Sequence, residues 1–165
     1  MSSSLKNLSV FSPQNTDATG KKFAIVVSEW NTEVTGALKQ GAIDTLIELG
    51  ATEDDIQIEY VPGTFELPLG AHYFAENTDV DAIICLGCVI QGETRHFDFI
   101  CQAAAQGIMQ VGLDYSVPVI FGVLTTDNQE QAMDRAGGKH GNKGTEAAVT
   151  AIKMANLGEK ITSAE

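Results

Sequence analysis

The chain has 165 residues, 44% of them hydrophobic and 19% charged, with sixteen glycines and four prolines, the apolar content of one globular domain with little room for a second catalytic one. Twenty-two acidic residues against ten basic ones give a formal net charge of -12, which repels phosphate backbones and argues against nucleic acid or an anionic membrane as the main partner. The Ser-, Asn- and Thr-rich start carries no signal-peptide core, and no later run reaches the roughly 20 apolar residues of a membrane span, so a soluble, cytoplasmic protein is expected.

Residues 1–21 read as a polar N-terminal arm and 22–165 as a single domain. A first strand is predicted at Phe23–Ser28, followed by a helix that Asn31 or Thr32 can cap, with Val34, Leu38, Leu46 and Leu49 at helical spacing and Gly50 closing it. Residues 55–61 alternate apolar and polar as in a less buried strand; the Pro62-Gly63-Thr64 turn then leads into a helix over about 65–77, with Pro68 in its first turn. The continuous apolar run 81–90 predicts a buried third strand, and a polar loop, residues 91–95, precedes a helix from His96 toward Tyr115. Residues 117–124 form a fourth strand, and helices over 129–136 and 144–157 flank a glycine- and lysine-rich connection.

This alternation of strands and helices predicts an α/β fold: a three-layer α/β/α sandwich of the flavodoxin-like arrangement, built on a four-stranded parallel sheet. Ligands in such sheets collect beyond the carboxyl ends of the strands. The segments to read are therefore Glu29-Trp30-Asn31, residues 62–66, residues 88–96 and Thr125-Thr126-Asp127.

Those ends carry Trp30, the Phe65-Glu66 pair, and His96 preceded by Gly92-Glu93-Thr94-Arg95. Aromatic faces suit a flat heterocycle, a carboxylate accepts hydroxyl hydrogen bonds, and free N–H groups at a helix start suit phosphate. Each residue also has a plainer reading: Trp30 as a core anchor, Glu66 as a first-turn dipole partner, His96 as a capping residue. Arg135, Lys139 and Lys143 form a positive island in an acidic chain, which favours an anion over a bland loop, although both lysines also fit as solvated loop charges. No P-loop or G-x-G-x-x-G pattern occurs, so nucleotide and dinucleotide sites are unsupported. The three cysteines, Cys85, Cys88 and Cys101, suit a reducing compartment. The C-x-x-C of Cys85 and Cys88 lies inside the apolar third strand, where packing is a better reading than redox chemistry, and no ligand spacing suggests a metal.

Taken together, Ser28-Glu-Trp-Asn31, Val61-Pro-Gly-Thr-Phe-Glu-Leu-Pro68, Leu86-Gly-Cys-Val-Ile-Gln-Gly-Glu-Thr-Arg-His-Phe-Asp98, Pro118-Val-Ile-Phe-Gly-Val-Leu-Thr-Thr126 and Arg135-Ala-Gly-Gly-Lys-His-Gly-Asn-Lys-Gly144 resemble the 6,7-dimethyl-8-ribityllumazine synthase family, over residues 22–157. The resemblance implies a cofactor-free condensation of 5-amino-6-(D-ribitylamino)uracil with 3,4-dihydroxy-2-butanone 4-phosphate, the penultimate step of riboflavin biosynthesis. It implies that Trp30, where the family usually has Phe, stacks on the pyrimidine, that Asn31 and Glu66 hold the ribityl chain, and that Thr64, Phe65, Cys88, Val89 and Ile90 line the pyrimidine pocket. His96 matches the proton-transfer residue, and imidazole is the side chain most often used as a general acid-base. Gly92, Glu93, Thr94 and Arg135 match the phosphate site, and Phe121 and Lys143 match further pocket positions. Glu93 and Arg95 depart from the small residues common in that loop, and Glu93 is expected to point away and offer its backbone N–H.

The resemblance further implies a homo-oligomer in which Phe121, Arg135 and Lys143 reach a neighbouring subunit's site. Family members are free pentamers or sixty-subunit shells, and the absence of an insertion at 137–143 favours the shell. Residues 7–11 could add a strand to a neighbour, and riboflavin synthase is a further candidate partner. The reading from another class is a non-catalytic shell that binds a flavin or lumazine in the same pocket.

Overall fold

Strand β1, Phe23–Ser28, is apolar until its last residue, Ser28, and buried throughout, the profile of a strand covered on both faces. The structure, a computed structural model, describes residues 9–164. β3, Ala82–Ile90, is buried over its first seven residues and lies beside β1; β2, Ile56–Val61, and β4, Val119–Thr126, are the edges of a four-stranded sheet in the order β2-β1-β3-β4. Every pair is parallel, with Ile25 opposite Ile58 and Ile84, and Cys88 opposite Leu124. The partial exposure of β2 and of the start of β4 follows from their edge positions.

Helices α1, Thr32–Glu48, and α5, Lys143–Thr162, cover one face of the sheet, and α2, Leu67–Asn77, and α3, His96–Tyr115, cover the other. Phe23, Ile25, Val27, Ile84 and Leu86 point to the first face and meet Leu38, Leu46 and Ile152. Ala24, Val26, Ile83 and Cys85 point to the second and meet Leu67, Ile108 and Val111. The layers and the parallel sheet are those the sequence predicts. α1 ends in a Schellman turn, with the N–H of Ala51 donating to the Leu46 carbonyl at 2.9 Å and that of Gly50 to Ile47 at 3.0 Å; Gly50 supplies the required positive φ of 114°.

Several boundaries differ from the sequence reading. β2 and β3 each start one residue later, β2 because Glu53–Asp55 forms a turn of 3-10 helix. Thr64–Glu66 forms another such turn, so α2 begins at Leu67. β4 starts at Val119 because Val117 is still closing α3, its N–H donating to Gly112, while Ser116 takes a φ of 52°. α4, Gln129–Asp134, stops two residues early and α5 runs five residues past the predicted 157. Between them is a small antiparallel hairpin, β5, Ala136–Gly138, with β6, Gly141–Asn142. Gly137 and Gly141 hold φ of 108° and 87° there, values that favour glycine.

Cys85 and Cys88 face opposite sides of the sheet. Burial raises the Cys85 thiol to about 12 and that of Cys88 to about 11, and with both side chains buried on opposite faces packing accounts for them. Cys101 is half-buried on α3. Among the described residues no helix is long and apolar enough to cross a membrane.

The described part of the arm is tied to the body. Asn156 donates from Nδ2 to the carbonyls of Asn15 and Asp17, and the Ala18 N–H donates to Leu49. Ser9 exchanges hydrogen bonds with Asn142, accepting from its N–H at 2.7 Å. Of the strand-adding segment 7–11, residues 7 and 8 lie outside the described residues.

Candidate active site

The order β2-β1-β3-β4 reverses between β1 and β3, so the mouth above those strand ends is where the topology opens a ligand crevice. The β1–β2 ladder continues beyond the strands, with Glu29 N–H donating to Val61 and Trp30 N–H to Pro62. This carries Trp30 over the next turn: a side-chain carbon placed on Gly63 would lie 3.3 Å from Trp30 Cδ1. The indole is 73% exposed, which excludes its reading as a core anchor and leaves a bare aromatic face at the mouth.

Asn31 stands at the N-cap position of α1 yet caps nothing with its side chain. Its backbone is left-handed, with φ of 61°, and its Nδ2 donates 2.9 Å to the carbonyl of Cys88 across the switch point. Thr32 donates its hydroxyl to Glu29. The expected capping by either residue is therefore replaced by a bridge from β1 to β3.

The Thr64–Glu66 turn continues from Gly63 beneath Trp30. Glu66 accepts the Gly63 N–H on Oε2 at 3.1 Å, the first-turn role considered for it, and no described residue donates to its other oxygen. Phe65 is 56% exposed, while Thr64 is buried. Thr64 packs its hydroxyl onto β3: a side-chain carbon on Gly87 would come within 2.7 Å of Thr64 Oγ1. The sequence reading passed over Gly87, although glycine inside a strand is the usual signal of such a close approach. Cys88 contributes a carbonyl already bound by Asn31 and a buried thiol, while Val89 and Ile90 are half-buried at the strand end.

The loop from β3 to α3 is exposed from Gln91 through His96. Gln91 N–H donates to Thr126, tying the ends of β3 and β4, and the His96 N–H reaches Thr94 Oγ1 at 3.4 Å. Gly92, Glu93 and Thr94 thus lie just before the N-terminus of a 20-residue helix, whose dipole favours an anion. The His96 ring has no partner among the described residues, so it caps nothing and is open to a ligand. The side chains of Glu93 and Arg95 are likewise exposed.

Phe121, Arg135 and Lys143 form a second group. Phe121 is the third residue of β4 and pairs with Cys85, about 16 Å down the strand from the mouth at 3.3 Å per residue. Phe121 and Lys143 line one shallow cavity on the outer edge of β4 with Ile120, Glu146 and Thr150. The Arg135 carbonyl accepts the Lys143 N–H at 2.8 Å, which holds the two residues together. The island's charge is partly matched: Lys143 pairs with Glu146 at 3.0 Å and Lys139 with Asp134 at 3.1 Å. No group of His, Cys, Asp and Glu among the described residues is arranged to hold a metal ion.

A family model described as 6,7-dimethyl-8-ribityllumazine synthase matches residues 20–159, a span that contains both groups. The chain belongs to the 6,7-dimethyl-8-ribityllumazine synthase family. It is 60% identical to the protein of that name from Cytophaga hutchinsonii over 154 residues, covering 93% of this chain and 97% of the relative. The Porphyromonas gingivalis protein of the same name is 59% identical over 136 residues, 82% of this chain and 84% of the relative. The one from Parabacteroides distasonis is 48% identical over 158 residues, 95% and 99% of the two chains. Membership in the lumazine synthase family reaches across the whole flavodoxin-like sandwich and does not favour a non-catalytic shell.

Proposed function

We propose that the mouth between β1 and β3 is the site at which this chain condenses 5-amino-6-(D-ribitylamino)uracil with 3,4-dihydroxy-2-butanone 4-phosphate. The enzyme is a transferase of riboflavin biosynthesis that works without a cofactor. The 5-amino group attacks the ketone and water leaves with formation of an imine; elimination of phosphate then leaves an enol that becomes a second carbonyl, and the ribitylamino nitrogen attacks that carbonyl and a second water leaves as the ring closes to 6,7-dimethyl-8-ribityllumazine. The observation that carries this reading is the exposed Trp30 face standing over the Gly63 turn beside Glu66, at the same strand-end mouth as His96, whose ring has no partner among the described residues.

In this reading Trp30 stacks on the pyrimidine, and Thr64, Phe65, Cys88, Val89 and Ile90 surround its edges. With Asn31 Nδ2 and Glu66 Oε2 already engaged, the ribityl hydroxyls meet Asn31 Oδ1 and Glu66 Oε1, both acceptors, which suits a chain of O–H donors. His96 relays protons between the amine, the carbinol and the leaving phosphate. Gly92, Glu93 and Thr94 bind that phosphate through N–H groups at the start of α3, and the Arg135 guanidinium adds a charged fork.

Phe121 and Lys143 act in a neighbour's site, and the same holds for Arg135. The support is the distance of Phe121 from its own mouth and the presence of two unlike apolar faces. One lies along β4, between Met109, Leu113, Met154, Leu157 and Ile161, in a groove of about 580 Å³. The other lies along β2, with Tyr60, Leu69 and Tyr73 exposed. Two different faces suit head-to-tail joining, which builds a ring where the rotation closes, rather than a two-fold dimer. A pentamer, its packing into a sixty-subunit shell, an association with riboflavin synthase, a cytoplasmic location and the division into a 1–21 arm and a 22–165 domain belong to the same proposal.

Purified protein mixed with both substrates should form lumazine fluorescence, saturably in each, above the uncatalysed rate. Tight lumazine binding with no rate above background would favour the binding shell instead.

A further inference from the structure

We propose that Ser28 is a positioning residue for the pyrimidine site, acting through Thr64 on the Thr64–Glu66 turn, with a Ser28–Thr64 hydrogen bond that forms when ligand closes the turn. The inference rests on the reading of the mouth as the pyrimidine site. Ser28 is the last residue of β1. Alternation along the strand places it with Ala24 and Val26 on the α2–α3 face. The residue is fully buried, and its hydroxyl oxygen has no hydrogen-bond partner among the described residues. Buried hydroxyls are nearly always satisfied, and leaving one unmade costs more than replacing it with a methyl. An orphan at the switch point of the sheet therefore points to a partner that arrives.

The geometry supplies one candidate. The point that a Gly87 side-chain carbon would occupy is 2.7 Å from Thr64 Oγ1 and 3.4 Å from Ser28 Oγ. Both hydroxyls thus face the same point over the Gly87 α-carbon, where a shift of the turn would join them. Their supports differ in stiffness. Ser28 belongs to a central strand paired on one side with Val61, whereas Thr64 opens a single 3-10 turn held by the Glu66 to Gly63 bond. Thr64 shares that turn with Phe65 and Glu66. Drawing Phe65 and Glu66 toward a bound pyrimidine and ribityl chain brings Thr64 along, and Ser28 then fixes the closed position.

A ligand-linked hydrogen bond has a signature that a structural one lacks. Ser28→Ala should leave the melting temperature of the free protein unchanged or higher, because an orphan is removed, while the Kd for 6,7-dimethyl-8-ribityllumazine, read by fluorescence titration of the full-length protein, rises about three- to tenfold. Thr64→Val should show a loss of its own, and the double variant should bind no more weakly than the weaker single variant, since both remove one bond. Ser28→Cys, which keeps the volume and weakens the hydrogen bond, repeats the titration if the alanine variant melts early. Unchanged Kd in Ser28→Ala and Ser28→Cys, or losses that multiply in the double variant, would overturn the proposal. A wild type that neither binds nor forms the lumazine overturns the reading of the mouth itself, which separates that failure from this one.

Discussion

The side-chain amide of Asn31 donates to the Cys88 carbonyl at 2.9 Å and so ties the end of β1 to the end of β3 at the point where the strand order reverses. The bridge fixes the width of the mouth beneath Trp30 and starts α1 from a left-handed residue. Asn31→Ala loses both the bond and asparagine's tolerance of positive φ, and should cost about 1–3 kcal/mol of stability. Asn31→Gly loses only the bond and should be the milder change in thermal or urea unfolding. An alanine variant as stable as the glycine variant would show that the backbone there is not constrained.

The His96 ring, without a partner among the described residues, separates chemistry from folding. His96→Ala should slow condensation by about 10- to 10⁴-fold while moving stability by no more than about 0.5 kcal/mol, as for an exposed site without structural partners. Turnover unchanged in this variant would remove His96 from proton transfer.

Trp30, at 73% exposed, contributes little to the core, so Trp30→Ala should fold as the wild type does. Its lumazine affinity should fall several-fold, the worth of about 1 kcal/mol of stacking. A variant that melts lower and binds normally would restore the core-anchor reading.

The two buried thiols predict a pH response of defined sign. Cys85 and Cys88 hold their protons to about 12 and about 11, against 9.0 for a free thiol. Below pH 9.0 both states of the chain are protonated and the contribution to stability is complete; above it the unfolded chain releases protons that the folded chain keeps, and stability falls toward 12. Alkylation of folded protein at pH 8 should therefore mark Cys101 well before the other two, and denaturant should expose all three. Rapid modification of Cys88 in the folded state would contradict its burial.

The central strands were legible because β1 and β3 are continuous apolar runs of strand length, which only a sheet covered on both faces accommodates. The exposed strand ends then located Trp30, Phe65, Glu66 and His96 by topology alone. The β5–β6 hairpin was not legible: three- and two-residue strands have no periodicity, and two glycines at positive φ do not show their torsions in sequence. The Asn31 bridge was hidden by a local rule, since asparagine before a helix reads as a cap and the competing acceptor is 57 residues away. The roles proposed for Phe121 and Lys143 rest on family resemblance, because nothing in the spacing of one chain would report a site completed by another.

The proposed sharing of the site between subunits is tested most directly by mixing two variants that each lack one half of it. His96→Ala and Arg135→Ala subunits, each slow alone with the butanone phosphate below saturation, are dissociated, combined in equal amounts and reassembled. If each site joins His96 of one subunit to Arg135 of the next, about a quarter of the sites in a random ring regain both residues, and lumazine formation should recover to about a quarter of the wild-type rate. Recovery no greater than the average of the two variants would place both residues in one chain's own site and contradict the account.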